Sequence, residues 1–138
     1  MYRKELKVTS QNEGDAIDIT EEVRRAVKES RIKEGIVHLF VRHSTAALTT
    51  IEYEPGVLED LKKALSVMAP DTIAYAHNTR WGDGNGRSHV KAALVGPSLS
   101  VPVGNGELLC GTWQQIVVLE LDTNAGRTRT VICTITGE

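Results

Sequence analysis

Polar and apolar residues alternate through residues 3–10 (RKELKVTS) and 16–20 (AIDIT), a period of two that predicts a pair of half-buried strands. Thr20 then stands where an N-cap belongs, with Glu21 and Glu22 placed to complement a helix dipole. The helix is predicted over residues 21–31, with Val23, Ala26 and Val27 as a narrow core stripe. Residues 35–43 (GIVHLFVRH) form an apolar run of strand length, and residues 45–52 (TAALTTIE) a second strand after a tight connection. Pro55 suits the first turn of a helix, Leu58, Leu61, Ala64 and Leu65 recur at helical spacing, and Pro70 closes the element.

Residues 75–90 (YAHNTRWGDGNGRSHV) break this rhythm and read as a polar loop. A short helix follows over residues 89–96, with Ser88 as its N-cap and Gly96 and Pro97 as its stop. The last third alternates as strands at residues 99–103, 106–111, 113–122 and 128–136, separated by the turn-forming GNG and TNAG. In residues 113–122 one face carries Trp113, Gln115, Val117, Leu119 and Leu121, and the other Gln114, Ile116, Val118, Glu120 and Asp122. An antiparallel sheet with helices over one face is the economical solution, so the class is α+β.

At 138 residues, with no linker or repeat, the chain reads as one domain spanning residues 1–138. A net charge of −2 and 4% aromatic residues give no global attraction to nucleic acid and no basic stretch interleaved with stacking rings. The N-terminal segment lacks an apolar signal region and no run is long enough to span a bilayer, so a cytoplasmic protein without membrane contact is expected. Cys110 and Cys133 lie far apart in apolar alternating runs and read as small buried hydrophobes.

Candidate chemistry gathers on histidines and on the glycine-rich loop. His38, inside an apolar strand, reads as a structural residue with a satisfied ring. His43 stands at a strand end, and His77 and His89 bracket the loop, positions that suit metal binding or acid–base work. Their spacing matches no local metal motif. In GDGNGR, Gly82, Gly84 and Gly86 alternate with Asp83, Asn85 and Arg87, and glycines at positive φ can turn successive N–H groups toward one anion. The helix that begins at Ser88 would add its dipole, and Arg87, with Arg80, its charge. An ordinary turn before a capped helix explains the same spacing equally well. Glu52, Glu54, Glu59 and Asp60 flank the Pro55 helix, where Glu54 and Glu59 are most simply solvated charges. One of Gln114 and Gln115 should face away from solvent and need a partner.

HSTAALTTIE, LEDL, YAHNTRWGDGNGRSHVKAALVGPSLSVPV, GELLCGTWQQIVVLELD and the terminal GE together resemble the secondary thiamine-phosphate synthase, or YjbQ-like, family over nearly the whole chain. The resemblance implies a mixed, mostly antiparallel sheet curved into a half-barrel, helices covering one side, and a homotrimer. It implies a weak thiamine-phosphate synthase reaction, in which a pyrimidine methyl pyrophosphate alkylates a thiazole phosphate and releases pyrophosphate. The family's polar pattern falls on His43, Glu52, Asp60, His77, Asp83, His89 and Gln114. Ile51 and Asn78 depart from it, standing where the pattern has Asn and often Asp, and Asn78 removes a carboxylate that could orient His77.

On this reading His43, Glu52, Asp60, Asp83 and Gln114 are the catalytic candidates, and Gly82, Gly84, Asn85, Gly86, Arg87 and Ser88 bind a phosphate. His43, His77 and His89 would hold a divalent ion, zinc-like by ligand type, while a pyrophosphate substrate would bring magnesium, held partly by Asp60 or Asp83. No organic cofactor is expected, and the partner is a small phosphorylated metabolite. A metal-dependent hydrolase of another phosphorylated or acyl substrate, and a non-catalytic binder of an anionic metabolite, are the alternatives.

Overall fold

A computed structural model describes all 138 residues. The chain order is β1 (Tyr2–Thr9), β2 (Ala16–Asp18), α1 (Thr20–Ser30), β3 (Gly35–Val41), β4 (Ala46–Ile51), α2 (Pro55–Met68), α3 (Ala76–Trp81), α4 (Gly86–Val95), β5 (Ser98–Gly104), β6 (Glu107–Leu108), β7 (Gln115–Glu120) and β8 (Thr128–Gly137). One sheet has the order β1-β8-β3-β5-β6, the other β2-β7-β4, and every pairing is antiparallel. Together the strands form the half-barrel of an α+β fold.

Strand alternation sorts the core into two compartments. Leu39 of β3 pairs with Leu99 of β5 and with Cys133 of β8, so the inward residues of three strands line up in one band. That band, with Ile116 and Val118 of β7, closes around the α1 stripe of Val23, Ala26 and Val27, all three buried. The opposite face of β7 presents Val117 and Leu119 to Leu65 of α2 and Ala92 of α4. Helices α2 and α4 therefore cover one side, while α1 fills the hollow of the half-barrel. From Ile116 to Leu119 β7 is apolar on both faces because it is the middle strand of a sheet covered on both sides.

Local differences from the sequence expectations have local causes. Thr20 opens α1 rather than capping it. Its hydroxyl donates to Asp18 Oδ1 at 2.6 Å and accepts the Ile116 N–H at 2.9 Å, tying the helix to β7. The cap of α2 is Glu54, whose carboxylate accepts from the N–H groups of Gly56 and Val57 at 2.7 and 2.8 Å and is held below its ordinary pKa by them. β3 is buried on one face only, so His38 lies exposed, its Nδ1 3.0 Å from Ser100 Oγ on the paired strand β5. Cys110 and Cys133 are free, Cys133 is buried in the core, and burial pushes its thiol up to about 11. No helix is long and apolar enough to cross a membrane.

Candidate active site at the α3–α4 turn

The segment expected to be a loop carries a helix of its own. Residues Ala76–Trp81 form α3, which ends at Gly82 in the left-handed region (φ 70°), where the Gly82 N–H returns to Asn78 O. Gly84 also takes positive φ (69°), and α4 starts at Gly86 rather than beyond Ser88. Gly86 has no room for a side chain, since a Cβ there would stand 2.6 Å from Tyr75 Cβ. Its N–H is taken by Asn78 Oδ1 at 2.8 Å. Asn78 thus caps α4 from the preceding helix, a task that explains a side-chain acceptor at this position. Ser88 is no N-cap: its hydroxyl is buried inside the first turn without a hydrogen-bond partner.

The turn between the helices brings two of the predicted histidines together. The His77 and His89 rings lie 4.5 Å apart, centroid to centroid, tilted by 45°. Asp83 Oδ1 stands 3.3 Å from His77 Nδ1. The Asn85 amide, oriented to satisfy both groups, donates to the two Asp83 oxygens at 2.9 and 3.1 Å. The result is a chain of contacts, Asn85 to Asp83 to His77 to His89, in which a fixed carboxylate orients one imidazole beside another. Alongside it, the backbone N–H groups of Asp83, Gly84, Asn85 and Arg87 have no acceptor within the protein. Open amides in a glycine turn ahead of a helix form the concavity in which anions are held.

The remaining candidates lie elsewhere. His43 is turned to the five-stranded sheet, where its Nε2 accepts the Thr130 N–H at 2.9 Å; burial, then the Arg129 charge, lowers its pKa. No three His, Cys, Asp or Glu side chains of the chain are grouped to hold a metal ion, so the expected His43–His77–His89 set does not assemble within one chain. Glu52 and Asp60 are exposed and make no side-chain hydrogen bond or ion pair. Gln114 is exposed as well, its Oε1 accepting only the nearby Gly111 N–H, and its partly buried neighbour Gln115 accepts the Tyr53 N–H. Neither glutamine is buried, because β7 enters the core only at Ile116. Arg87 makes a paired contact with Glu13, at 3.1 Å from Nε and 3.2 Å from Nη2, while its Nη1 reaches back to the Gly84 carbonyl at 3.5 Å.

Residues 4–138 match the family described as UPF0047 protein YjbQ-like. The chain belongs to this family. It is 41% identical over 128 residues to a UPF0047 protein of Archaeoglobus fulgidus, covering 93% of this chain and 96% of that one. A UPF0047 protein of Methanothermobacter thermautotrophicus is 39% identical over 122 residues, covering 88% and 84% of the two chains. The crystal structure of a protein of unknown function from Sulfolobus solfataricus, described as YbjQ-like, superposes with a TM-score of 0.92 at 34% identity, covering 99% of this chain and 97% of that chain.

Within this YjbQ-like frame, sequence reasoning missed one polar centre. Arg129 and Glu120 are 1% and 0% exposed at their side chains and form an ion pair across the two sheets. Glu120 accepts from Arg129 Nε at 3.0 Å, from Ser10 Oγ at 2.6 Å and from the Asp122 N–H at 3.1 Å. Arg129 also donates to Thr45 Oγ1 at 2.9 Å, which donates in turn to Asp122 Oδ2 at 2.9 Å. Burial pushes the Glu120 carboxyl up, but the bonds from Arg129, Ser10 and Asp122 outweigh it, and its pKa lies below the ordinary value. The signal was in the alternation: Arg129 shares a face with Val131, Cys133 and Ile135 of β8, and Glu120 shares one with Ile116 and Val118. A charge on each of two core faces calls for a partner on the other.

Proposed function

We propose that the protein is an enzyme that acts on a small phosphorylated substrate by acid–base chemistry, with His77 and His89 as the proton-handling groups and Asp83 as the orienting carboxylate. The observation that carries this reading is the paired imidazole rings lying beside four backbone N–H groups that have no acceptor within the protein. The open amides of residues 83–85 and 87 would take the phosphate oxygens, and the imidazoles would pass a proton to the departing group. Thiamine-phosphate synthase-type transfer, in which a pyrimidine methyl pyrophosphate is joined to a thiazole phosphate with loss of pyrophosphate, is the named reaction to assay first. Magnesium belongs in that assay because pyrophosphate oxygens bind it directly. The histidines that would hold a transition metal, His43, His77 and His89, do not converge in a single chain.

Hydrolysis of a phosphorylated substrate is the second reading, and the openness of the site favours it. The Asp83 side chain is 41% exposed, so water has free access in the single chain. Alkyl transfer prefers a site from which water is kept out. A homotrimer would supply a cover. The exposed Trp113 (70%) and Leu109 (59%), with Leu109 bordering a groove between β4 and β5, support such an assembly.

The test is turnover by the purified protein with both thiamine precursors, and with phosphate esters alone, followed by product analysis and compared with His77→Ala and His89→Ala. Product formed by the parent and lost in both variants supports the enzyme reading. Thermal stabilisation by pyrophosphate without product makes the protein a binder. Equal rates in all three proteins would remove the assignment.

A further inference from the structure

A second polar feature lies on the other flank of α4. Successive helix residues are separated by about 100°, so Arg87 and Lys91 point about 160° away from His89. They face a cavity of about 250 Å³ between α2 and α4, floored by Leu61, Leu65, Leu119 and Leu121. This is somewhat below the range of roughly 300–1,000 Å³ typical for drug-sized ligands, and suits a smaller molecule.

Lys91 is only 8% exposed and lines this cavity, yet its ammonium makes no hydrogen bond or ion pair. The β1–β2 connection brings Glu13, which Arg87 already engages at 3.1 Å. The α2–α3 connection brings Asp71, which forms no ion pair, and α2 adds Ser66 and a further cation, Lys62. Leu119 and Leu121 supply no charge. Three cations thus face two carboxylates, one of them taken, and the wall carries a single surplus positive charge over an apolar floor. A cation so placed is costly to bury without a counter-charge. Burial lowers the Lys91 pKa, with Glu13 opposing, as expected for an ammonium short of partners.

We propose that the cavity between α2 and α4 binds a small monocarboxylate with a short aliphatic chain, its head on Lys91 and its chain over Leu61, Leu65, Leu119 and Leu121. The surplus of one charge selects a monoanion, and the leucine floor selects a saturated tail. The site is separate from the histidine cluster, so its failure leaves the proposed acid–base site untouched, and the reverse holds.

The experiment titrates hexanoate into the full chain, carrying methyl-labelled leucines, with hexanol and inorganic pyrophosphate as comparison ligands. Hexanoate is expected to bind with a Kd of about 1 mM or tighter and to shift the methyl signals of the four floor leucines. Hexanol should bind at least tenfold more weakly, and pyrophosphate should not displace hexanoate. Lys91→Met, which keeps most of the stem, should weaken hexanoate by roughly tenfold or more, the worth of a charge-assisted hydrogen bond. If that variant does not fold, the leucine shifts and the hexanoate-to-hexanol ratio in the parent protein decide. No hexanoate binding at about 10 mM, unshifted floor leucines, equal affinity for hexanol, or a folded Lys91→Met that binds as well as the parent would each overturn the proposal.

Discussion

Replacing Arg129 by methionine removes the cation from the middle of the protein while keeping much of its bulk. Glu120 then loses both Arg129 bonds and retains only the Ser10 hydroxyl and the Asp122 N–H. With the carboxylate fully buried, a broken pair of this kind costs about 3–5 kcal/mol. For a chain of this size each kcal/mol moves Tm by roughly 2–4 °C, so a fall of about 6–20 °C is expected. The comparison is made by thermal and urea unfolding at pH 7, at one fixed protein concentration because association also moves Tm. A second variant, Glu120→Leu with Arg129→Met, removes both charges and should lose less than Arg129→Met alone. A loss below about 1 kcal/mol for the single variant, or a double variant no better than the single, would show that the pair is not the electrostatic unit described.

Three further outcomes follow from local geometry. Glu120 and Asp122 titrate below their ordinary values in the folded chain, so their stabilisation is present above the unfolded carboxyl pKa of about 4 and is lost as pH falls through the folded value. His43 has a lowered folded pKa, so the unfolded chain takes its proton first and stability also falls as pH drops below about 6.5. Urea unfolding from pH 8 to pH 3 should therefore show two descending stages, the upper one absent in His43→Gln. Gly86→Ala should destabilise by roughly 1–3 kcal/mol because the new Cβ meets the base of the Tyr75 side chain. Gly126→Ala, where nothing lies within 4 Å, should cost only the left-handed strain of about 1–2 kcal/mol, and thermal unfolding of each variant checks its value. Cys133, buried with its thiol near 11, should resist iodoacetamide at pH 8 in the native chain and react in urea, as mass spectrometry of the alkylated peptides will show.

The elements legible in the sequence were those whose burial repeats with a fixed period. Val23, Ala26 and Val27 mark the buried face of α1, and the two faces of β7 divide between the two core compartments as their alternation indicates. Helix α3 was not legible because none of its residues is buried; its order comes from the Gly82 turn and its link to α4 through Asn78, neither of which leaves an apolar stripe. The candidate site was half legible. Glycines at positions 82 and 84 announced a turn with positive φ, and His77 and His89 flank it at a spacing that two short helices bring together. His43 shares their chemistry but its strand end points to β8, a fact of sheet packing that no spacing encodes. Arg87 was expected at the anion because of its neighbours in sequence, whereas its side of α4 faces Glu13 and the cavity.

The proposed chemistry requires the α3–α4 turn to hold an anion against two imidazoles. The direct measurement is a pyrophosphate titration followed through the side-chain nitrogen signals of the four histidines. His77 and His89 should shift together along one saturable curve, while His38, on the outer face of β3, stays fixed. Signals of His77 and His89 that do not move, or that move no more than His38, would contradict it.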